Sequence, residues 1–102
     1  MVMTHFHQRA EVNVMKSLIV TYDLCSPGRN YNPLYEKLKK YPGWAKITES
    51  TWLIKTNSTC VDIRNELGAV IDANDRLFVT ESTGVAAWLN VICDNDYLKK
   101  NL

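Results

Sequence analysis

The sequence predicts a small α+β domain, and three observations carry that expectation. Two β-rich runs bounded by turn residues stand at residues 17–24 (SLIVTYDL) and 76–80 (RLFVT). Apolar residues recur at helical spacing over residues 34–41 and again over 60–71. Strand and helix patterns alternate along the 102 residues without a Pro/Gly-rich linker, so one domain with one core is expected, large enough to need neither disulfide nor structural metal.

Each element has a local reason. In the first strand Leu18, Val20 and Tyr22 share one face, while Ile19, Thr21 and Asp23 share the other. The strand stops at a loop carrying Ser26, Pro27 and Gly28. A helix follows with Asn32 as the expected N-cap, Pro33 at a position where its missing N–H costs nothing, and Leu34, Tyr35, Leu38 and Tyr41 on one side. Pro42 and Gly43 end it. Residues 44–56 (WAKITESTWLIKT) are rich in β-branched and aromatic types and too long for an average strand. They form either a hairpin folded near Thr48 and Glu49 or one kinked strand.

The second helix opens with a capping box from Thr59 to Asp62 and buries Cys60, Ile63, Leu67, Val70 and Ile71. Asn74 and Asp75 break it. After the run at 76–80, residues 82–84 (STG) suit a hairpin loop leading into a further strand at 85–91 (VAAWLNV). Asp94 or Asn95 then caps a short terminal helix. The order β-α-β-β-α-β, with an additional C-terminal strand and short helix, is that of a ferredoxin-like sandwich. Residues 1–14 show no period and are expected to be a loosely ordered extension, leaving residues 15–102 as the domain. Two histidines in that extension, His5 and His7, lack the surrounding shell that orients metal ligands.

Two helices over the Leu18/Val20/Tyr22 side leave the Ile19/Thr21/Asp23 side uncovered. A sheet apolar on both faces needs a second cover, and a second copy of the chain is the expected one, making a homodimer. The formal net charge of +1 does not announce a nucleic-acid binder. Its distribution is uneven: eight basic against four acidic residues up to Ser58, and four against seven from Thr59 onward. Cys25, Cys60 and Cys93 are odd in number and far apart, unlike a disulfide framework or a zinc site, so a reduced, cytoplasmic compartment is expected. No apolar run approaches the roughly 18 residues of a membrane span.

Tyr22-Asp23 closing the first strand, ahead of a loop and helix, resembles the smaller of the two general CRISPR adaptation proteins over about residues 16–91. The stretches YDLCSPGRNYNPL (22–34), ESTWLIKT (49–56), DIRNEL (62–67), DANDRLFV (72–79) and GVAAW (84–88) resemble a divergent, SinR-like branch. The resemblance implies a dimeric ferredoxin-like protein with metal-dependent ribonuclease or deoxyribonuclease activity, acting on RNA or DNA. It maps the family's strand-end acid onto Asp23, and Ser50 to Trp52 onto a Ser-x-aromatic pattern. The basic cluster that often follows the family's Tyr-Asp is reduced here to Arg29, which weakens the case for a long duplex.

Asp23 is the expected catalytic and metal-binding residue. At a strand end on a twofold interface, it and its mate would share a proton or hold a hard divalent cation. Mg2+ or Mn2+ there would orient a phosphate and activate water. The alternative is structural, with Asp23 accepting hydrogen bonds from the amides of residues 25–28. Arg29, beside the helix start, is expected to grip a phosphate, and Lys37 and Lys40, with Lys39 and Lys46, to extend that contact. Cys25 lacks a base in the folded part, so a Cys/His nucleophile is not expected. Trp44, Trp52 and Trp88 are weighed as base-stacking platforms but lie inside apolar strands, where core or dimer packing is the expectation. Arg64 and the acidic group at Asp72 and Asp75 match the SinR-like pattern, and that group most simply turns the chain. The rival to a nuclease is a non-catalytic dimeric module that recognises a protein partner or holds a small nucleotide.

Overall fold

A computed structural model describes residues 15–102; the extension read at residues 1–14, with His5 and His7, lies outside the described residues. Seven elements follow in the order β1 (Lys16–Asp23), α1 (Asn32–Leu38), β2 (Gly43–Thr48), β3 (Thr51–Thr56), α2 (Cys60–Gly68), β4 (Arg76–Glu81) and α3 (Asn95–Asn101). The four strands form one antiparallel sheet in the order β2-β3-β1-β4. Residues 44–56 are therefore a hairpin, turning at residues 49 and 50, with a register shift between Lys46 and Thr48. The Tyr22 hydroxyl donates to the carbonyl of Glu49 in that turn (3.3 Å) and accepts from the Trp52 indole N–H (2.9 Å).

The expected face of β1 makes the main core. Leu18, Val20 and Tyr22 pack with Trp52 and Ile54 beneath Leu34 and Leu38 of α1 and Ile63 and Leu67 of α2. Most of these side chains are fully removed from solvent, each contributing about 1.5–3 kcal/mol relative to exposure. Thr59 caps α2, its hydroxyl accepting from the Asp62 amide at 3.1 Å, as the capping pattern requires. α1 departs in detail: its N-cap is Tyr31 rather than Asn32, and the Asn30 side chain takes the Asn32 amide.

The other face of the sheet overturns two expectations. Residues 85–91 are not a strand, and no hairpin forms at 82–84. The segment instead crosses beneath the sheet. The Ile92 amide donates to the Ile47 carbonyl at the β2 edge (2.9 Å), and Asn90 takes a positive φ of 56°. Trp88, Val91, Cys93, Tyr97, Leu98 and Leu102 then pack against Ile19, Ala45, Ile47 and Leu53. The apolar residues at 85–91 had read as a strand because the run is β-prone, but strand formation needs a neighbour to pair with, and burial on a ready-made sheet face competes with it. The second correction follows directly. The Ile19 side, expected to await a second copy, is covered in large part by the chain's own C-terminal segment.

α3 caps this second cluster. Asp94 is its N-cap, accepting from the Tyr97 amide at 3.2 Å. At its other end the buried Lys55 of β3 reaches the Asn101 carbonyl (3.4 Å) and the Ser17 hydroxyl (2.9 Å), and Ser17 itself donates to Asn101. A cation at a helix C-terminus is favourably placed against the helix dipole, and burial lowers the Lys55 pKa. Gly43, opposite Lys55 in the sheet, makes room: a Cβ there would lie 2.8 Å from the Lys55 side chain and 3.0 Å from the Tyr97 hydroxyl.

Candidate functional site

Asp23 ends β1 directly across from Arg76 of β4. Their side chains are 69% and 76% exposed and form an ion pair at 3.9 Å. A shallow cavity of about 140 Å³ lies here, lined by Thr21, Tyr22, Asp23, Arg76, Leu77 and Phe78. The Arg76 guanidinium also donates to the Cys25 thiol (3.6 Å). A divalent cation needs several oxygen ligands, and Asp23 has a guanidinium beside it instead. Among the described residues, no group of three or more His, Cys, Asp or Glu side chains is placed to hold a metal ion. One protomer places a single carboxylate here, already paired with Arg76.

The structural role weighed for Asp23 belongs to Asp75. One Asp75 carboxylate oxygen accepts from the Cys25 amide (2.6 Å) and the Tyr31 hydroxyl (2.8 Å), and the other from the Asp72 amide (2.7 Å). Desolvation is the largest single influence on its pKa and pushes it up. The Cys25 and Asp72 amides, the Tyr31 hydroxyl and Arg29 together outweigh it, so the carboxyl titrates below the usual range. Ser26 donates to Asp72, and Arg29 pairs with Asp72 at 3.5 Å while lying over the Tyr31 ring at 5.6 Å. The expected phosphate-gripping Arg29 is thus held by a carboxylate and a ring, tying the β1–α1 loop to the turn before β4. Gly28, at φ +85°, supplies the left-handed residue that the loop needs.

Lys37 is half-buried and Lys40 exposed, the first in α1 and the second in the turn after it. The structure does not gather them with Arg29 and Asp23. It gathers a different set between α1 and β2, where Asn32, Tyr35, Glu36, Lys39, Trp44, Lys46 and Trp52 line a groove of about 420 Å³. The Lys39 ammonium lies 5.7 Å from the Trp44 ring, and that of Lys46 lies 5.9 Å from Tyr35 and 5.8 Å from Trp52. The Trp44 and Trp52 rings are tilted at 44° with centroids 5.6 Å apart. Three ammonium–ring approaches within 6 Å thus fall in one groove, two of them made by Lys46. Lys46 also pairs with Glu49 at 3.5 Å, but that carboxylate is 88% exposed, and such a pair is worth only about 0–1 kcal/mol.

From sequence, Lys39 and Lys46 are only extensions of a contact centred on Arg29, and packing is the expectation for all three tryptophans. That holds for Trp52, which is 1% exposed, but Trp44 is 39% exposed. Trp44 faces the helix-covered side on an edge strand, where the helices no longer reach across. Its place at the edge is a property of strand order, which residue spacing does not carry. No protein-family model matches the chain, and no solved structure matches it.

Proposed function

We propose that this chain is a homodimeric, ferredoxin-like protein of CRISPR-adaptation-like type that binds nucleic acid through the groove between α1 and β2. The ferredoxin-like reading is supported by the strand order β2-β3-β1-β4, with α1 and α2 in the two split crossovers and packed on one face. The observation that carries the function is the set Tyr35, Lys39, Trp44 and Lys46, which joins cations to aromatic faces along one groove. Proteins that bind single strands combine these two features, because lysines neutralise phosphates and rings accept bases.

Homodimerisation is supported by what remains open on the Asp23 side. Phe78 is 62% exposed beside Thr21 at the outer strand β4, and a second copy would cover it. Phosphodiester cleavage at Asp23 belongs to this reading only through such a pairing, since one protomer supplies one carboxylate already facing Arg76. The lone, arginine-paired Asp23 favours binding without catalysis. The location that goes with this reading is cytoplasmic.

The test is a salt series of binding to labelled single- and double-stranded RNA and DNA, comparing wild type with Lys39→Glu and Lys46→Glu. Affinity should fall steeply with salt, and each charge reversal should flatten the logarithmic slope by about 0.7–0.9. Salt-independent binding, or slopes unchanged by both variants, would remove the groove from nucleic-acid contact. Incubation of wild type and Asp23→Asn with Mg2+ or Mn2+ then decides cleavage. Cutting that Asp23→Asn abolishes supports a shared carboxylate site, and cutting that persists in Asp23→Asn excludes it.

A further inference from the structure

Trp44 stands between two cavities. On one side is the lysine-bearing groove of about 420 Å³; on the other a cavity of about 380 Å³ is lined by Trp44, Ala45, Lys46, Ile92, Cys93 and Tyr97, among others. Trp44 and Lys46 belong to both, so the two cavities flank the edge of β2. An edge strand ordinarily invites an added β-strand through its unpaired backbone groups. Here that route is obstructed. The Tyr97 hydroxyl lies against the start of β2, 3.0 Å from where a Cβ on Gly43 would sit, and the Ile92 amide occupies the Ile47 carbonyl. What this edge offers is side-chain chemistry: a partly exposed indole and two ammonium groups.

The other two tryptophans are committed. The Trp52 indole N–H donates to Tyr22, and that of Trp88 donates to Asn95 (3.0 Å). The Trp44 indole has no such partner among the described residues. Lys39 reaches Trp44 from the C-cap of α1, and Lys46 stands two residues on along β2. A planar ring stacked on an indole, with an anion held by an ammonium on either side, is the arrangement that an unpaired nucleobase and its flanking phosphates satisfy. A base held in a duplex stack has no face to offer.

We propose that Trp44 is the stacking platform for one unpaired nucleobase of a strand that crosses the β2 edge, with Lys39 and Lys46 on the neighbouring phosphates. This rests on the nucleic-acid reading above and adds to it the form of the ligand. The cavity beyond Trp44, lined by Ile92, Cys93 and Tyr97 with Lys46 and Asp94 as its charged members, takes the next base along the strand on its apolar side.

The experiment follows the indole N–H signals of the ¹⁵N-labelled full chain during titration with a single-stranded octathymidylate and with a blunt duplex of the same length. Trp44→Phe identifies the Trp44 signal. The single strand should shift that signal while leaving Trp52 unmoved, and the duplex should bind more weakly without the shift. Trp44→Leu, with its fold checked by the retained Trp52 and Trp88 signals, should weaken single-strand binding roughly tenfold, within the range of one lost stack, and leave the salt slope unchanged. A single strand that binds without moving the Trp44 signal overturns the stacking site and leaves nucleic-acid binding standing. Equal duplex binding with the same shift also overturns it. If neither ligand binds at low salt, both the stacking site and the nucleic-acid reading fall.

Discussion

At Asp75 one carboxylate gathers two backbone amides and a tyrosine hydroxyl from three separate places in the chain. Because these contacts hold its pKa below the ordinary value, its contribution to stability is fully present above about pH 4, the unfolded value. It is lost as pH falls through the depressed folded value. Denaturant melts of wild type should therefore lose stability below about pH 4, and Asp75→Asn should be less stable at neutral pH with a flatter acid limb. An acid limb as steep in Asp75→Asn as in wild type would assign the loss to other carboxylates. The sequence pointed to the group around Asp72 and Asp75 as a turn, which it is. It offered the loop-holding role, as the alternative to catalysis, to Asp23, because that residue is the local neighbour of the amides. The residue that does it lies fifty positions away, a separation that no spacing rule spans.

The C-terminal segment is the element whose behaviour most departs from its pattern. α3 is seven residues long, too short to persist alone in water, so its helicity depends on the sheet it covers. Leu98, 1% exposed against Ala45 and Leu53, is the anchor. Leu98→Ala should cost about 2–5 kcal/mol and should raise amide exchange first in residues 95–102, before the β1–β3 ladder. Uniform acceleration across β1 and α3 would mean that the segment and the sheet open as one unit. Lys55 and Ser17 hold the far end at Asn101. That contact was not readable, since a lysine in a strand ordinarily marks a solvent-facing position. The first helix and the Thr59 cap were readable, because each is decided by neighbours within a few residues, whereas the hairpin and the Asp94 cap were each one of two alternatives that local pattern left open.

Across the whole molecule the pH response is set by tyrosines as well as carboxylates. Tyr22, Tyr31, Tyr41 and Tyr97 all have raised pKa values, with desolvation the leading cause in each. Tyr41 is pushed furthest and donates to Glu66 at 2.8 Å. A raised folded pKa gives stability that is complete below the unfolded value near pH 10 and declines as pH rises toward the folded one. Lys55, with a lowered pKa, acts in the opposite sense over its own window, because the protein gains stability as that ammonium loses its proton. Cys93 is likewise raised, mainly by desolvation, so five groups against one predict a net fall. Melts at about pH 9, 10 and 11 should show declining stability, and Tyr41→Phe should flatten the decline. Constant stability through about pH 11 would contradict these burials.

By itself the sequence determined the α+β class, the order of the elements from β1 to β4 and the face of β1 that forms the main core. These follow from alternation, helical spacing and caps, all short-range properties of the chain. Tertiary structure alone decided what covers the second face of the sheet, which tryptophan is left at an edge, and which carboxylate holds the β1–α1 loop. Each of those outcomes is a competition between distant segments for the same surface or the same amide. Residues 85–91 are apolar enough for a strand or for a cover. The sheet already had an apolar face to bury, and Trp88 and Val91 pack against it.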